Sequence, residues 1–251
     1  MGRVNDKRPR THEIVLAHIE AELSAGRVSL GQRLPGERVL AEQIGVSRAS
    51  VREAIRVLEA MGVVRTAVGS GPDAGAVIVA DPGTALAGAL RLHLATSHLV
   101  IADIVATRVL LESWAVRAAS LPGRRQGIGS TEGIGRFADA ERLLGEMDDA
   151  ELTPGDFHRL DAQFHVELAR LSGNIVVAAM MAALRESIQG YVLAAVADLP
   201  YWPATARQLR REHRRILDAI IAGDGTRAAH VTTRHIEGFY RSAGLAGRSA
   251  R

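Results

Sequence analysis

The 251-residue chain contains no cysteine. That excludes a disulfide framework and a thiolate metal site, so stability must come from the core and any bound metal must be held by nitrogen and oxygen. No run of about 18 apolar residues is present, the length that marks a membrane-spanning helix. The amino-terminal stretch MGRVNDKRPRTHE lacks the apolar centre of a secretory signal. A cytoplasmic location and no membrane partner are therefore expected. A large charge excess is also missing: the formal net charge is +3, and the pI near 9.9 reflects basic residues that are nearly all arginine. Net charge alone names no nucleic-acid partner; only the placement of the arginines can. The glycine-rich loop from Pro122 to Gly135 has neither a preceding strand nor a Gly-Lys-Ser/Thr ending, so it reads as a flexible helix connection rather than a phosphate cradle.

What is present is the balance of a soluble globular protein, 47% apolar and 24% charged, with length enough for two domains. Residues 34 to 64 carry the densest pattern. Leu40, Ala41 and Ile44 line one face of a short helix that stops at Gly45, a residue suited to a left-handed helix end. Val51, Ala54, Ile55 and Leu58 repeat at i, i+3, i+4 and i+7, the buried stripe of a second helix. Arg48, Arg52 and Arg56 stand four apart on its other face, where a guanidinium fork reaches a phosphate or a guanine edge. Ser47 can cap this helix, although Ser50 with Glu53 makes a competing capping box three residues later. Three arginines alone read more readily as a solvated helix face. The context is an amphipathic helix at about 11 to 26 and two short strands, Val63 to Thr66 and Ala76 to Val79, around a glycine-rich turn. Three helices and a hairpin make a winged helix-turn-helix.

At this point the sequence resembles the GntR family of bacterial transcription regulators. Its signature Leu-Pro-x-Glu-Arg-x-Leu-Ala-x-x-x-Gly-Val-Ser-Arg-x-x-Val-Arg-Glu-Ala is matched from Leu34 to Ala54. The resemblance implies operator contacts by Arg38, Arg48 and Arg52, with Ser47 and Ser50 as phosphate or base-edge contacts. The wing departs from the family form, with Val68-Gly69-Ser70-Gly71 and an inserted Pro-Asp-Ala-Gly where the family has Gly-x-Gly-Thr-Phe-Val.

Beyond Asp81-Pro82-Gly83, read as a short linker, almost everything has helical periodicity. Helices are expected near 84 to 96, 100 to 120, 134 to 148, 154 to 172, 174 to 197, 203 to 222 and 225 to 243, giving a mainly α chain with an all-α carboxyl-terminal bundle. Asp161 and His165 are four apart and share a helix face, the spacing that lets a carboxylate and an imidazole converge on one cation. His213 and His235 lie beside apolar stripes on two later helices. One Asp and three His suit a divalent metal such as Zn, Ni or Mn with open positions for water or a carboxylate. His158 and His230 offer alternatives that periodicity does not separate, and each histidine alone reads more readily as a surface or core-edge residue than as a ligand.

The stretch from about 100 to 243 is similar to the FadR carboxyl-terminal ligand-binding domain, the helical sensor of one GntR subfamily. That domain carries Asp-x-x-x-His, a His about 50 residues on and another about 20 further, matched by Asp161, His165, His213 and His235. The resemblance implies divalent-metal binding by these four and leaves His158 and His230 outside the set. It also matches Arg-x-x-Leu-Glu at Arg108 to Glu112, where the arginine can pair with an acidic effector; an i, i+4 surface pair is an equal reading. Asn174, in the turn Ser172-Gly173-Asn174, is either a second pocket residue or a helix cap.

The domain expectation is a disordered arm over 1–10, a DNA-binding domain over 11–80, a linker and connecting helix over 81–99, an effector domain over 100–243 and a disordered tail over 244–251. The functional expectation is a homodimeric repressor, not an enzyme, that reads a palindromic duplex operator and responds to a small carboxylate metabolite. Two alternatives are a regulator whose metal is purely structural or absent, and a helical metal-dependent enzyme.

Overall fold

The computed structural model describes residues 10–67, 75–96, 98–121, 135–197 and 201–245. The expected turn of the wing, most of the glycine-rich connection after Leu121, and most of the amino-terminal arm and carboxyl-terminal tail lie outside these residues. The chain divides into two compact units, Met1–Ala85 and Leu86–Arg251.

The first unit holds α1 (Thr11–Ser24), α2 (Glu37–Ile44), α3 (Arg48–Ala60), β1 (Val64–Ala67) and β2 (Gly75–Ile78). The strands pair antiparallel, Val64 opposite Ile78 and Thr66 opposite Ala76. Arg33 bridges to Val77 at the sheet edge. Arg10, expected in the arm, is the N-cap of α1, its N–H donating to Glu13 Oε2 at 2.7 Å. Gly45 ends α2 in the left-handed region at φ 76°, which allows the tight turn into α3. Ser47 rather than Ser50 caps α3: its hydroxyl oxygen accepts from the Ser50 N–H at 3.1 Å, so the helix starts at Arg48. The stripe Val51, Ala54, Ile55 and Leu58 is buried against Val15 and Ile19 of α1 and Leu40 and Ala41 of α2. These helices and the hairpin form the winged helix-turn-helix.

Gly62 closes this unit. Its φ of 69° suits glycine, and a Cβ there would stand 2.1 Å from the Asp81 carbonyl oxygen. The close approach allows the Asp81 N–H to donate to Gly62 O at 3.1 Å. The expected linker Asp81-Pro82-Gly83 is instead the start of α4 (Pro82–Ala95). Proline is preorganised for a first helical turn, and the Asp81 carboxylate accepts from the Thr84 hydroxyl at 3.0 Å.

The second unit contains the remainder of α4 with α5 (Ile101–Ala119), α6 (Ala138–Met147), α7 (Pro154–Leu171), α8 (Ile175–Ala197), α9 (Trp202–Ile221) and α10 (Gly225–Ser242). Helix α5 lies along α10 and α7, α8 packs on α7, and α9 packs on α10. Two apolar clusters result. One joins α6, α7 and α9 through Phe157, Phe164, Met147 and Ile216. The other joins α5, α8 and α10 through Ile101, Met181, Ile188 and Ile236. Leu245, expected in the tail, is buried in the second cluster, and Gly244 at φ 66° makes the turn that brings it back. Helix α8 is long and apolar enough, by length and composition, to cross a membrane. Part of that apolar character belongs to the core, where Met181, Ala183, Leu184 and Ile188 are buried, while Ile175 and Val176 are exposed.

Candidate functional site

In the first unit, α3 presents Arg48, Arg52 and Arg56 to solvent. Arg52 is held by Glu37 of α2, with Arg52 NH2 2.8 Å from Glu37 Oε2 and both side chains more than a third exposed. This pairing, more than any other cause, holds the Glu37 carboxyl below its ordinary range. Arg38 pairs with Glu42 at 2.8 Å across one turn of α2. The Arg48 side chain makes no hydrogen bond or ion pair with the described residues. Ser47 and Ser50 hydroxyls lie 2.9 Å apart at the mouth of α3. An exposed ion pair in high dielectric exchanges partners at small cost, so this surface can trade its carboxylates for phosphates or base edges.

The second unit contains a different kind of cluster. Thr153 caps α7, accepting from the Asp156 N–H at 3.1 Å with Pro154 in the first turn. The helix then directs Asp161 and His165 inward one turn apart. His213 comes from α9 and His235 from α10. One ligand atom from each of the four lies within 4.8 Å of every other, and all four residues are buried. The His235 Nε2 is 3.2 Å from both His165 Nε2 and His213 Nε2. Asp161 Oδ1 is 2.9 Å from His213 Nε2 and 3.6 Å from His165 Nε2.

The opposite ring nitrogens fix the tautomers. His165 Nδ1 donates to Glu112 Oε2, and His235 Nδ1 donates to Glu212 Oε2 at 2.8 Å. Their Nε2 atoms are then lone-pair acceptors facing one another at short range beside a carboxylate oxygen. Such a convergence is unfavourable unless a cation occupies it, and carboxylates behind the imidazoles are the usual support for a metal-binding histidine. The donor set, three imidazoles and one carboxylate, fits a divalent ion of intermediate softness. Among the described residues His213 Nδ1 has no hydrogen-bond partner. Its ring is held by Phe157, stacked at 6.3 Å, and by Phe164 at 5.0 Å.

Burial governs the protonation states. It pushes His213 down to about 3, against the opposing pull of Asp161, and lowers His235 despite its bond to Glu212. Burial alone would raise the carboxyl of Asp161, but Arg185 and the two histidine bonds outweigh it and hold the group well below its ordinary value. Glu112 is treated the same way by Arg108 and His165. His213 and His235 are therefore held as neutral imidazoles beside the ionised carboxylates of Asp161 and Glu112, the forms that bind cations.

Arg108 and Glu112 are indeed four apart and paired, with Arg108 NH2 2.8 Å from Glu112 Oε1, but their side chains are only 4% and 3% exposed. The surface reading of that pair is thus overturned. Arg108 also donates to the Tyr240 hydroxyl. Glu112 joins Arg108 to His165, so helix α5 supports the imidazole cluster from behind. A cavity with about 40 Å³ of free space lies beside the cluster, lined by Arg108, His158, Asp161, His165, Arg185 and His235 among others. Asn174 is not among its lining residues: its Oδ1 accepts from the Val176 and Val177 N–H groups at 3.1 and 3.2 Å, the role of a helix cap. His230 is exposed, away from the four, whereas His158 is buried at the cavity wall. Sequence reasoning did not single out Arg185, Glu212 and Tyr240. Each lies on a helix remote in the chain from its partner, and no local spacing marks it.

Comparison with known proteins agrees with both halves of this picture. Residues 11–72 match the bacterial regulatory proteins, gntR family, and residues 103–238 match the FCD domain. The chain is 28% identical over 233 residues to the Glc operon transcriptional activator of Escherichia coli K12, covering 92% of this chain and 86% of that protein. It is 27% identical over 217 residues to the HTH-type transcriptional regulator LutR of Bacillus subtilis 168, covering 84% and 91%. The solved Streptococcus agalactiae GntR structure superposes with a TM-score of 0.64 at 23% identity, covering 92% of this chain and all of that one. At that identity the likeness speaks for the fold.

Proposed function

The chain belongs to the gntR family of bacterial regulatory proteins and carries an FCD domain, and from that premise we propose how this transcriptional regulator works. Its families and relatives regulate transcription and are not enzymes, which removes the metalloenzyme alternative. We infer that it acts in the cytoplasm as a homodimeric repressor. Each copy places α3 in one major groove of a palindromic operator, Arg48 and Arg52 reading base edges while Arg38, Ser47 and Ser50 position the backbone.

The observation that carries the effector half is the set of four buried donor atoms within 4.8 Å of one another at the wall of a cavity. Asp161, His165, His213 and His235 would hold the ion, with Glu112 and Glu212 orienting two of the imidazoles. A divalent ion of the Zn, Ni or Mn kind supplies a fixed positive centre for a carboxylate oxygen. Around it, the Arg108 guanidinium pairs with Glu112 and that of Arg185 with Asp161, while Glu212 bonds His235. The residues thus carry one net negative charge and the loaded site one net positive charge, which a monoanionic acid balances. Arg108 adds a guanidinium to the cavity wall that receives that acid. Effector binding then shifts the helices and weakens operator binding; a coupling of about 1–3 kcal/mol changes affinity roughly 5- to 150-fold.

Selection of a random duplex library by the full chain, followed by binding titrations, tests the reading. Enrichment of a palindrome is expected, and Arg52→Ala is expected to cost about 1–3 kcal/mol and relax one base pair. Failure to enrich any sequence removes the operator assignment. Stripping the protein of metal, reloading it with Zn or Mn and adding short carboxylic acids should release the selected duplex. Tighter binding on acid addition reverses the sign of regulation, and no response in any metal state removes the effector role.

A further inference from the structure

The helical hairpin of α9 and α10 carries a second open space, apart from the cavity beside the imidazoles. This groove has about 340 Å³ of free space and is lined by Arg215, Arg234 and Arg241 together with Glu212, Glu237 and Gly238. Among the described residues its lining shares only His235 with that of the cavity. None of the three guanidiniums makes a hydrogen bond or ion pair with the described residues, although all three arginines are exposed on the groove. The carboxylate nearest to hand is already committed: Glu212 Oε1 accepts from Gln208 Nε2 at 2.8 Å, and Oε2 accepts from His235 Nδ1 at 2.8 Å. Glu212 is therefore not their counterion.

The hairpin also fixes how the charges are spaced. Helices α9 and α10 run antiparallel through the short connection 222–224, and the Glu212 to His235 bond sets them level at those two residues. Arg215 and Arg234 thus stand towards one end of the groove and Arg241 towards the other, Arg234 and Arg241 being seven residues, or about 10 Å, apart along α10. Gly238 lies between them. Glycine inside a helix lowers its stability relative to alanine, so its place in α10 calls for a reason. Packing does not supply one, because a Cβ there would meet nothing within 4 Å among the described residues. What the glycine does provide is an open floor between two cationic ends.

We propose that this groove binds a small anion with two linked phosphate groups, a free diphosphate or a nucleoside diphosphate, held over Gly238 by Arg215 and Arg234 at one end and Arg241 at the other. A guanidinium fork matches phosphate oxygens in bidentate fashion. With Glu212 and Glu237 included, the charged lining carries one net positive charge, so a singly charged acid gains little from it. A diphosphate brings several negative charges and engages both ends together. The site is independent of the metal and effector reading above.

Equilibrium binding of pyrophosphate, ADP, inorganic phosphate and succinate to the metal-stripped full chain, in buffer free of divalent ions, tests the proposal. Pyrophosphate or ADP is expected to bind once per chain, at least tenfold more tightly than inorganic phosphate or succinate, and the preference between the first two identifies the source of the diphosphate. Gly238→Leu puts a side chain into the open floor and a better helix former into α10. It should lose at least tenfold in diphosphate affinity with no fall in melting temperature, as should Arg234→Gln combined with Arg241→Gln. Glu237→Gln should bind about two- to fivefold more tightly, the range of an exposed charge pair. That gain is one that misfolding does not imitate. Failure of both diphosphates to bind overturns the proposal, as does binding unaltered in Gly238→Leu and the paired arginine variant, or succinate binding as tightly as pyrophosphate. Should Gly238→Leu melt lower, the arginine pair and Glu237→Gln decide.

Discussion

Arginine–carboxylate pairs occur in both units of this protein, and their surroundings give them opposite roles. On the helix-turn-helix, Arg52 and Glu37 meet in solvent with side chains 57% and 36% exposed. In the bundle, Arg108 and Glu112 meet at the same 2.8 Å with side chains 4% and 3% exposed. The exposed pair is weakly coupled and replaceable, as a surface that must bind a charged polymer requires. The buried pair has lost its hydration and is strongly coupled, because each charge depends on the other and on Tyr240 and His165 beyond them. One fixes a geometry; the other waits for a partner.

Glu112→Ala should break the comparison most sharply. It leaves the Arg108 charge buried without its partner and removes the acceptor of His165 Nδ1. A loss of about 3–5 kcal/mol of stability is expected from the uncompensated charge, read from urea denaturation of the full chain. Metal affinity should fall about 10- to 100-fold through the disoriented imidazole. A stability change near zero would mean that water reaches Arg108 and that the pair is not the buried support described here.

Next in size is the response to pH. His158, His213 and His235 are all lowered, burial being the first cause in each. The unfolded chain binds protons near the ordinary value of 6.5 while the folded bundle resists them. Stability is thus fully present above about 6.5 and is lost as pH falls below it, by up to about 1.4 kcal/mol per histidine per pH unit. Asp161 and Glu112, shifted downward instead, contribute stability above the carboxylate range that is lost only at lower pH. Denaturation of metal-stripped protein at pH 7.5, 6.5 and 5.5 should therefore show a falling urea midpoint. A midpoint that is flat over this range would show that the imidazoles are hydrated. Loading with Zn should restore part of the loss, less so at the lower pH where protons compete for the same nitrogens.

How much of this was legible in the sequence follows from how local each signal is. The α3 stripe from Val51 to Leu58, the Gly45 stop and the seven later helices follow from periodicity and turn chemistry, and they form as expected with ends shifted by a few residues. The i, i+4 spacings of Asp161 with His165 and of Arg108 with Glu112 were also visible, but spacing carries no information on burial. The second pair therefore read equally as a surface contact or a cavity pair until the packing of α5 against α10 and α7 placed it inside. Arg185, Glu212 and Tyr240 were illegible because each meets its partner only after distant helices pack. Asn174 illustrates the reverse error, a polar residue near a site whose carbonyl oxygen is taken by the first backbone N–H groups of α8. At Asp81-Pro82-Gly83 the composition of a linker concealed a helix start, since proline and an acidic cap suit a first turn as well as they suit a loop.

The smallest expected effect sharpens the other side of the comparison. Glu37 pairs with Arg52, and on the proposed operator reading the duplex must displace that carboxylate before the guanidinium reaches a base or phosphate. Exposed pairs are worth about 0.2–1 kcal/mol, so Glu37→Gln should change stability by no more than that. Because the pair must be broken on binding, the same amount sets the ceiling on what its removal returns to operator affinity, about fivefold. Titration of a selected duplex at two salt concentrations checks this, with the gain expected to shrink at high salt as screening weakens the competing contact. Weaker operator binding by Glu37→Gln would assign the carboxylate a different role, holding Arg52 in its reading position rather than competing for it, and the exposed pair would then be a fixed element like the buried one.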